Sequence, residues 1–118
     1  MIIHANEVAT TRSLNERGAR ATIAVINSSP QSINTISGKV QMNLDIRSPT
    51  NEDVGEIEDL CKEGFNKICE LHGLQLKFET IWTSPAVKFD ETMVNCVRRS
   101  ALEIGCNIEL TSGAGHDA

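Results

Sequence analysis

Few side chains in this sequence have the type and spacing for chemistry. Near its end, Ser112-Gly113-Ala114-Gly115-His116-Asp117-Ala118 delivers a histidine and an aspartate side by side behind two glycines. Small residues let a backbone approach a ligand closely; the plain alternative is a polar tail. Arg47 closes a segment of alternating polarity and carries the planar fork that grips a carboxylate through two hydrogen bonds. An outward arginine on a strand is otherwise simply solvated. Asn34 lies in a polar connection, where an asparagine ordinarily builds a turn. His4 and His72 stand far from each other and from His116, and both read as surface residues. The chain has no H-E-x-x-H, no G-x-S-x-G and no glycine-rich phosphate loop after a strand.

Elements of two kinds must hold these residues. Lys39–Arg47 gives the cleanest signal: Val40, Met42, Leu44 and Ile46 alternate with Lys39, Gln41, Asn43, Asp45 and Arg47. A period of two means a strand with one buried face, so Arg47 points away from the core. Residues 21–27 (ATIAVIN) are rich in β-branched residues and read as a strand, and 28–38 as its connection to the next. Thr50 with Asn51, Glu52 and Asp53 is a helix start. Val54, Ile57, Cys61, Phe65, Ile68 and Cys69 then recur at helical spacing as far as a stop at Gly73, which predicts a helix over 51–72. Residues 74–82 (LQLKFETIW) read as a third strand, and Asp90 as the cap of a helix over 91–104. Residues 1–9 read as a short helix, 10–20 as a loop, and 107–110 as a short strand.

An antiparallel pair followed by a strand–helix–strand crossover predicts an α+β fold, a ferredoxin-like open-faced sandwich with helices on one face of the sheet. One strand of such a sheet is missing, because only a helix precedes residue 20.

Composition excludes several classes of function. At 118 residues the chain suits a single domain, and 40% apolar with 23% charged residues is globular composition. A net charge of −5 argues against nucleic acid and anionic membrane as partners. No apolar run reaches the roughly 20 residues needed to span a bilayer. Cys61, Cys69, Cys96 and Cys106 form no C-x-x-C pair. They read as reduced structural residues of a cytoplasmic protein.

The stretch Ile33-Asn34-Thr35-Ile36-Ser37-Gly38-Lys39-Val40, continuing to Leu44-Asp45-Ile46-Arg47-Ser48-Pro49, resembles the lid (dimerisation) domain of N-carbamoyl-L-amino-acid hydrolases. That group includes the β-ureidopropionases and allantoate amidohydrolases, within the metal-dependent aminoacylase and carboxypeptidase superfamily. Ser84-Pro85-Ala86-Val87, Phe89-Asp90 and the S-G-A-G-H-D-A run are similar to the same family in the same order. The resemblance implies a hydrolase that cleaves the carbamoyl C–N bond of N-carbamoyl amino acids and works as a homodimer. Asn34 and Arg47 would reach into the active site of the partner subunit, Arg47 pairing with the substrate carboxylate and Asn34 hydrogen-bonding near it. His116 would lie beside the substrate and help to polarise the scissile carbamoyl group. Two divalent metal ions, zinc or manganese, would activate a water in the full-length parent.

The sequence departs from the family in two ways. Ser37 stands where the loop usually has proline, which loosens the expected positioning of Asn34. The metal ligands, the general-base glutamate and the lid's first strand are absent, so this chain is expected to bind no metal and to be inactive alone. It reads as an internal piece: a partial lid domain over 1–88, then a return segment over 89–118 into a catalytic domain. Marginal stability and self-association are expected of such a piece. The competing reading is a ferredoxin-like interaction module without catalysis, in which Asn34, Arg47 and His116 are solvated.

Overall fold

A computed structural model describes residues 1–108 of the chain, apart from the side chains of residues 12 and 13. Helices α1 (Ile2–Ala9) and α2 (Arg12–Glu16) come first, followed by strands β1 (Arg20–Ser29) and β2 (Lys39–Arg47). Helices α3 (Asn51–Leu71) and α4 (Glu91–Glu103) complete the order. Among the described residues this is an α+β arrangement of a two-stranded antiparallel sheet and four helices, a ferredoxin-like open-faced sandwich short of strands.

The core is built by short-range rules. On α3 the buried residues are Asp53, Ile57, Cys61, Phe65 and Cys69. Their spacing of four lays them along one stripe of the helix. Ala5, Val8 and Ala9 of α1, Leu14 of α2, and Ala19 and Ala21 meet that stripe. Ile23, Leu44 and Ile46 close the layer from the sheet. The Thr50 hydroxyl accepts the Asp53 N–H at 3.2 Å and caps α3. Gly73, at φ 64°, ends that helix, where Leu74 donates back to the Cys69 carbonyl at 2.8 Å.

β1 and β2 pair from Arg20↔Arg47 to Ser29↔Lys39, with a shift between Ile23 and Val25 that leaves Ala24 as the extra residue of a bulge. Before the bulge, Ala21 and Ile23 face the core; after it, Ile26 and Ser28 share the side of Met42 and Val40. The half of the hairpin beyond the bulge outruns the helices, so Val25, Ile26, Val40, Ile33 and Ile36 are all exposed.

The third expected strand does not form. Residues 74–82 join no sheet, although Leu76 and Phe78 alternate with exposed neighbours and pack on the core. Strand structure needs a partner for its N–H and C=O groups as well as an alternating pattern, and the sheet stops at β2. Side-chain bonds tether the segment and its continuation instead: Thr80 donates to Glu58 at 2.5 Å, and the Ala86 N–H to Asn51 at 2.8 Å. The strand–helix–strand crossover is therefore corrected to a strand–helix step followed by an unpaired segment. Residues 10–20, read as a loop, contain α2. Of the short strand expected over 107–110, residues 107 and 108 are not in a strand, and the rest lies outside the described residues.

The chain is long and thin. Its radius of gyration is 19.1 Å, against about 13–14 Å for a compact chain of this length. None of the residues of α4 is buried, although its apolar positions recur at helical spacing. No helix among the described residues is long and apolar enough to cross a membrane.

Candidate functional site

Asn34 occupies the loop at the far end of the hairpin. That loop is closed by the Gly38 N–H donating to the Ser29 carbonyl at 2.9 Å. The Ser37 hydroxyl donates to the Pro30 carbonyl at 3.4 Å, so the residue in the proline position ties the loop from inside. The Asn34 carboxamide oxygen accepts from the Ser32 hydroxyl at 2.6 Å and from Thr35 at 3.4 Å. Both bonds come from neighbouring side chains and hold the carboxamide within its own loop. At the base of the loop, Asn27, Ser28, Ser29, Lys39 and Gln41 line a shallow cleft of about 200 Å³.

Arg47 stands at the other end of β2, exposed and on the outer face, as alternation requires. Its Nε donates to both Asp45 carboxylate oxygens, at 3.2 and 3.0 Å, and its Nη2 to Oδ2 at 2.7 Å. This bidentate grip, with the charge of Asp45, raises the Arg47 pKa further and holds the guanidinium along the strand.

The structure does not bring Asn34 and Arg47 together. Eight steps along the strand at about 3.3 Å each separate Lys39 from Arg47, roughly 26 Å, and Asn34 lies beyond Lys39. His116 lies outside the described residues, as does the run that contains it.

The other polar clusters serve the fold. Asp53 is 6% exposed. It accepts from Arg17 Nε at 2.8 Å and from the Ser48 hydroxyl at 3.0 Å. Burial pushes this carboxyl up, but bonds from Thr50, Arg17 and Ser48 and the Arg17 charge outweigh it and hold the pKa below the ordinary value. This joins the α2 turn to the start of α3.

His4 is half-buried rather than wholly solvated. Its Nε2 lies 3.3 Å from the Leu60 carbonyl, and its ring meets Phe65 edge-on with centroids 6.0 Å apart. The signal that could have found this contact is Gly64, a glycine inside an otherwise strong helix. The cysteines are all free; Cys61 and Cys69 are buried, and burial pushes the Cys61 thiol up.

No three His, Cys, Asp or Glu side chains converge as a metal site among the described residues. These residues do not fit the two metal ions the resemblance implies.

No protein-family model matches the chain. Among curated proteins it is 35% identical over 112 residues to a protein of Rhizobium meliloti named N-carbamoyl-L-amino-acid amidohydrolase, covering 94% of this chain and 27% of that protein. It is 31% identical over 100 residues to a Bacillus subtilis protein named allantoate amidohydrolase, covering 84% of this chain and 24% of that one. Among solved structures, a hydantoinase/carbamoylase family amidase from Burkholderia ambifaria superposes with a TM-score of 0.88 at 30% identity, over 97% of this chain and 27% of that one. One from Burkholderia multivorans gives 0.77 at 28%, over 97% and 29%. The chain thus spans about a quarter of the length of the proteins it matches.

Proposed function

Starting from a chain homologous to one segment of the N-carbamoyl-L-amino-acid and allantoate amidohydrolases, we propose that it supplies the lid and dimer contacts of an enzyme that cleaves carbamoyl C–N bonds. Residues 1–88 are the partial lid, and 89–118 lead into a catalytic domain that carries the metal ions and the general base. The substrate is a small N-carbamoyl amino acid or allantoate. The observation that carries this reading is similarity over nearly the whole chain, with Arg47 standing at the end of β2 as an oriented, exposed guanidinium.

The expected roles need one change. Both residues were expected to enter the partner subunit's site; their separation along β2 instead supports drawing them from different subunits. In this reading each active site takes Asn34 from one subunit and Arg47 from the other. Arg47 binds the substrate carboxylate, which competes with Asp45 for the same donors. Asn34 hydrogen-bonds to the substrate from the loop. His116 is assigned beside the carbamoyl group.

Mixed dimers of the full-length parent test this directly, with ammonia release from N-carbamoyl amino acids and allantoate as readout. In a dimer of one Asn34→Ala subunit and one Arg47→Ala subunit, one site keeps both residues and the other loses both. About half of the wild-type activity is expected, while each variant homodimer shows a raised KM. A KM rise of roughly 30-fold or more fits the loss of a charge-paired contact. A mixed dimer as impaired as both homodimers would place the two residues otherwise. A wild-type parent inactive on every ureido substrate would favour the interaction module, which the uncovered face of α4 also fits.

A further inference from the structure

Residues 74–82 and the segment after them run along α3 against its direction. Leu74 donates to the Cys69 carbonyl, the Phe78 ring lies 6.2 Å from that of Phe65, Thr80 donates to Glu58, and the Ala86 N–H to Asn51. β2 also runs towards the start of α3, which begins soon after Arg47. The two extended segments therefore run the same way. Leu44 and Ile46 of β2, and Leu76 and Phe78 of the other segment, all pack on the core that α3 builds. They do not pair with each other. The sheet holds β1 and β2 alone, and residues 75–82 make no backbone-to-backbone hydrogen bond among the described residues. A helix is about 10 Å wide, which matches two strand spacings of about 4.8 Å. Extended segments along both sides of α3 thus leave room for one strand between them.

We propose that the strip between β2 and residues 74–82 is a docking site for one extended peptide strand of another polypeptide. Each flank presents a row of backbone N–H and C=O groups with no strand partner, and only an extended backbone can serve both rows at once. The floor and walls set its side chains. Ile57 and Cys61 of α3 are fully buried, whereas Leu44, Ile46, Leu76 and Phe78 are only half-buried. Residues facing inward, at every second position, are therefore apolar. Asn43, Asp45, Gln75, Lys77 and Glu79 are exposed on the other face, so the alternate positions are polar. Because the flanks run the same way, the incoming strand opposes both or follows both. Antiparallel pairing is the more stable per residue, so it opposes both. Proline is excluded, since it lacks the N–H. A second copy of this chain does not fit: its β2 brings β1 beside it, and the strip takes one strand.

The test titrates the intact ¹⁵N-labelled chain with the synthetic peptide acetyl-Lys-Val-Thr-Val-Thr-Val-Lys-amide and follows backbone amide hydrogen exchange. Saturating peptide should slow exchange in β2 and in residues 75–81 together, with one Kd. The same peptide with proline for its central valine should protect neither. Successive N–H groups of a strand point to opposite sides. Methylating the valine nitrogens therefore removes the donors to one flank, and methylating the threonine nitrogens those to the other. Each change should weaken binding about tenfold or more. Protection confined to β2, weakening by only one of the two methylated sets, or no binding overturns the proposal. The first two results would describe addition to a single free edge.

Discussion

The imidazole of His4 fills the place where a side chain at residue 64 would begin: its Nε2 lies 1.8 Å from the point a Cβ on Gly64 would occupy. The two helices approach closely because residue 64 has no side chain, and the ring of α1 then packs on Phe65 of α3. Gly64→Ala must push the ring out of this seam. A net loss of about 1 kcal/mol or less is expected, because alanine's helix propensity offsets part of the displaced packing, read from urea midpoints. His4→Ala in the same chain should relieve much of the added cost, since the two changes meet at one contact. Additive losses would show that the ring is not what the new methyl group strikes.

Acid should loosen the junction of α2 and α3. The Asp53 carboxyl titrates below its ordinary 3.8 in the folded chain. The folded state therefore favours the ionised form. That contribution to stability is complete above the unfolded value and disappears as the pH falls through the folded one. Urea midpoints taken from pH 6 to pH 3 should decline at the acid end, and Asp53→Asn should flatten the decline. An unchanged slope in the variant would assign the acid sensitivity to other carboxylates.

Thiol labelling should divide the cysteines two and two. Cys96 and Cys106 are exposed, whereas Cys61 and Cys69 are buried. A thiol reagent at neutral pH should modify the first pair quickly and the second only as the chain unfolds. Mass spectrometry of digests after brief labelling gives the answer. Rapid modification of Cys61 would mean that the α1–α3 seam opens readily.

Self-association is expected from surface area alone. The accessible surface is 9793 Å², whereas a compact chain of this mass exposes about 6,300 Å². The excess exceeds the roughly 1,600 Å² buried in an ordinary protein interface. Sedimentation velocity should show species larger than the monomer that grow with concentration. Val97, 69% exposed on α4, lies on the apolar side of a helix with nothing buried, so Val97→Glu should reduce association. A monomer at every concentration would contradict this account.

Much of the fold is legible in the residues. Thr50 and Asp53 mark the start of α3, Gly73 its end, and the alternation from Val40 to Ile46 marks β2. Each of these is a local rule that operates within a turn or a strand. The failure at 74–82 is of another kind: Leu76 and Phe78 alternate as in a strand, but pairing depends on a neighbour the pattern does not contain. His4 escaped because its partner is 60 positions away in sequence. For the candidate site, the outward direction of Arg47 followed from alternation. Its distance from Asn34 did not, because a hairpin puts residues close in sequence at opposite ends. The pairing of Arg20 with Arg47 depends on register, which the bulge at Ala24 resets.

That bulge has a consequence for aim. Ala24 has no partner on β2, yet Ile23 still meets Leu44 and Val25 meets Asn43. A deletion of Ala24 would therefore keep every other pair in step and remove only the local coiling a bulge introduces. The hairpin would straighten, and its tip would swing while its base stayed seated on α1 and α3. The bearing of the Asn34 loop is thus adjustable independently of the anchorage of Arg47, through the length of one strand by one residue.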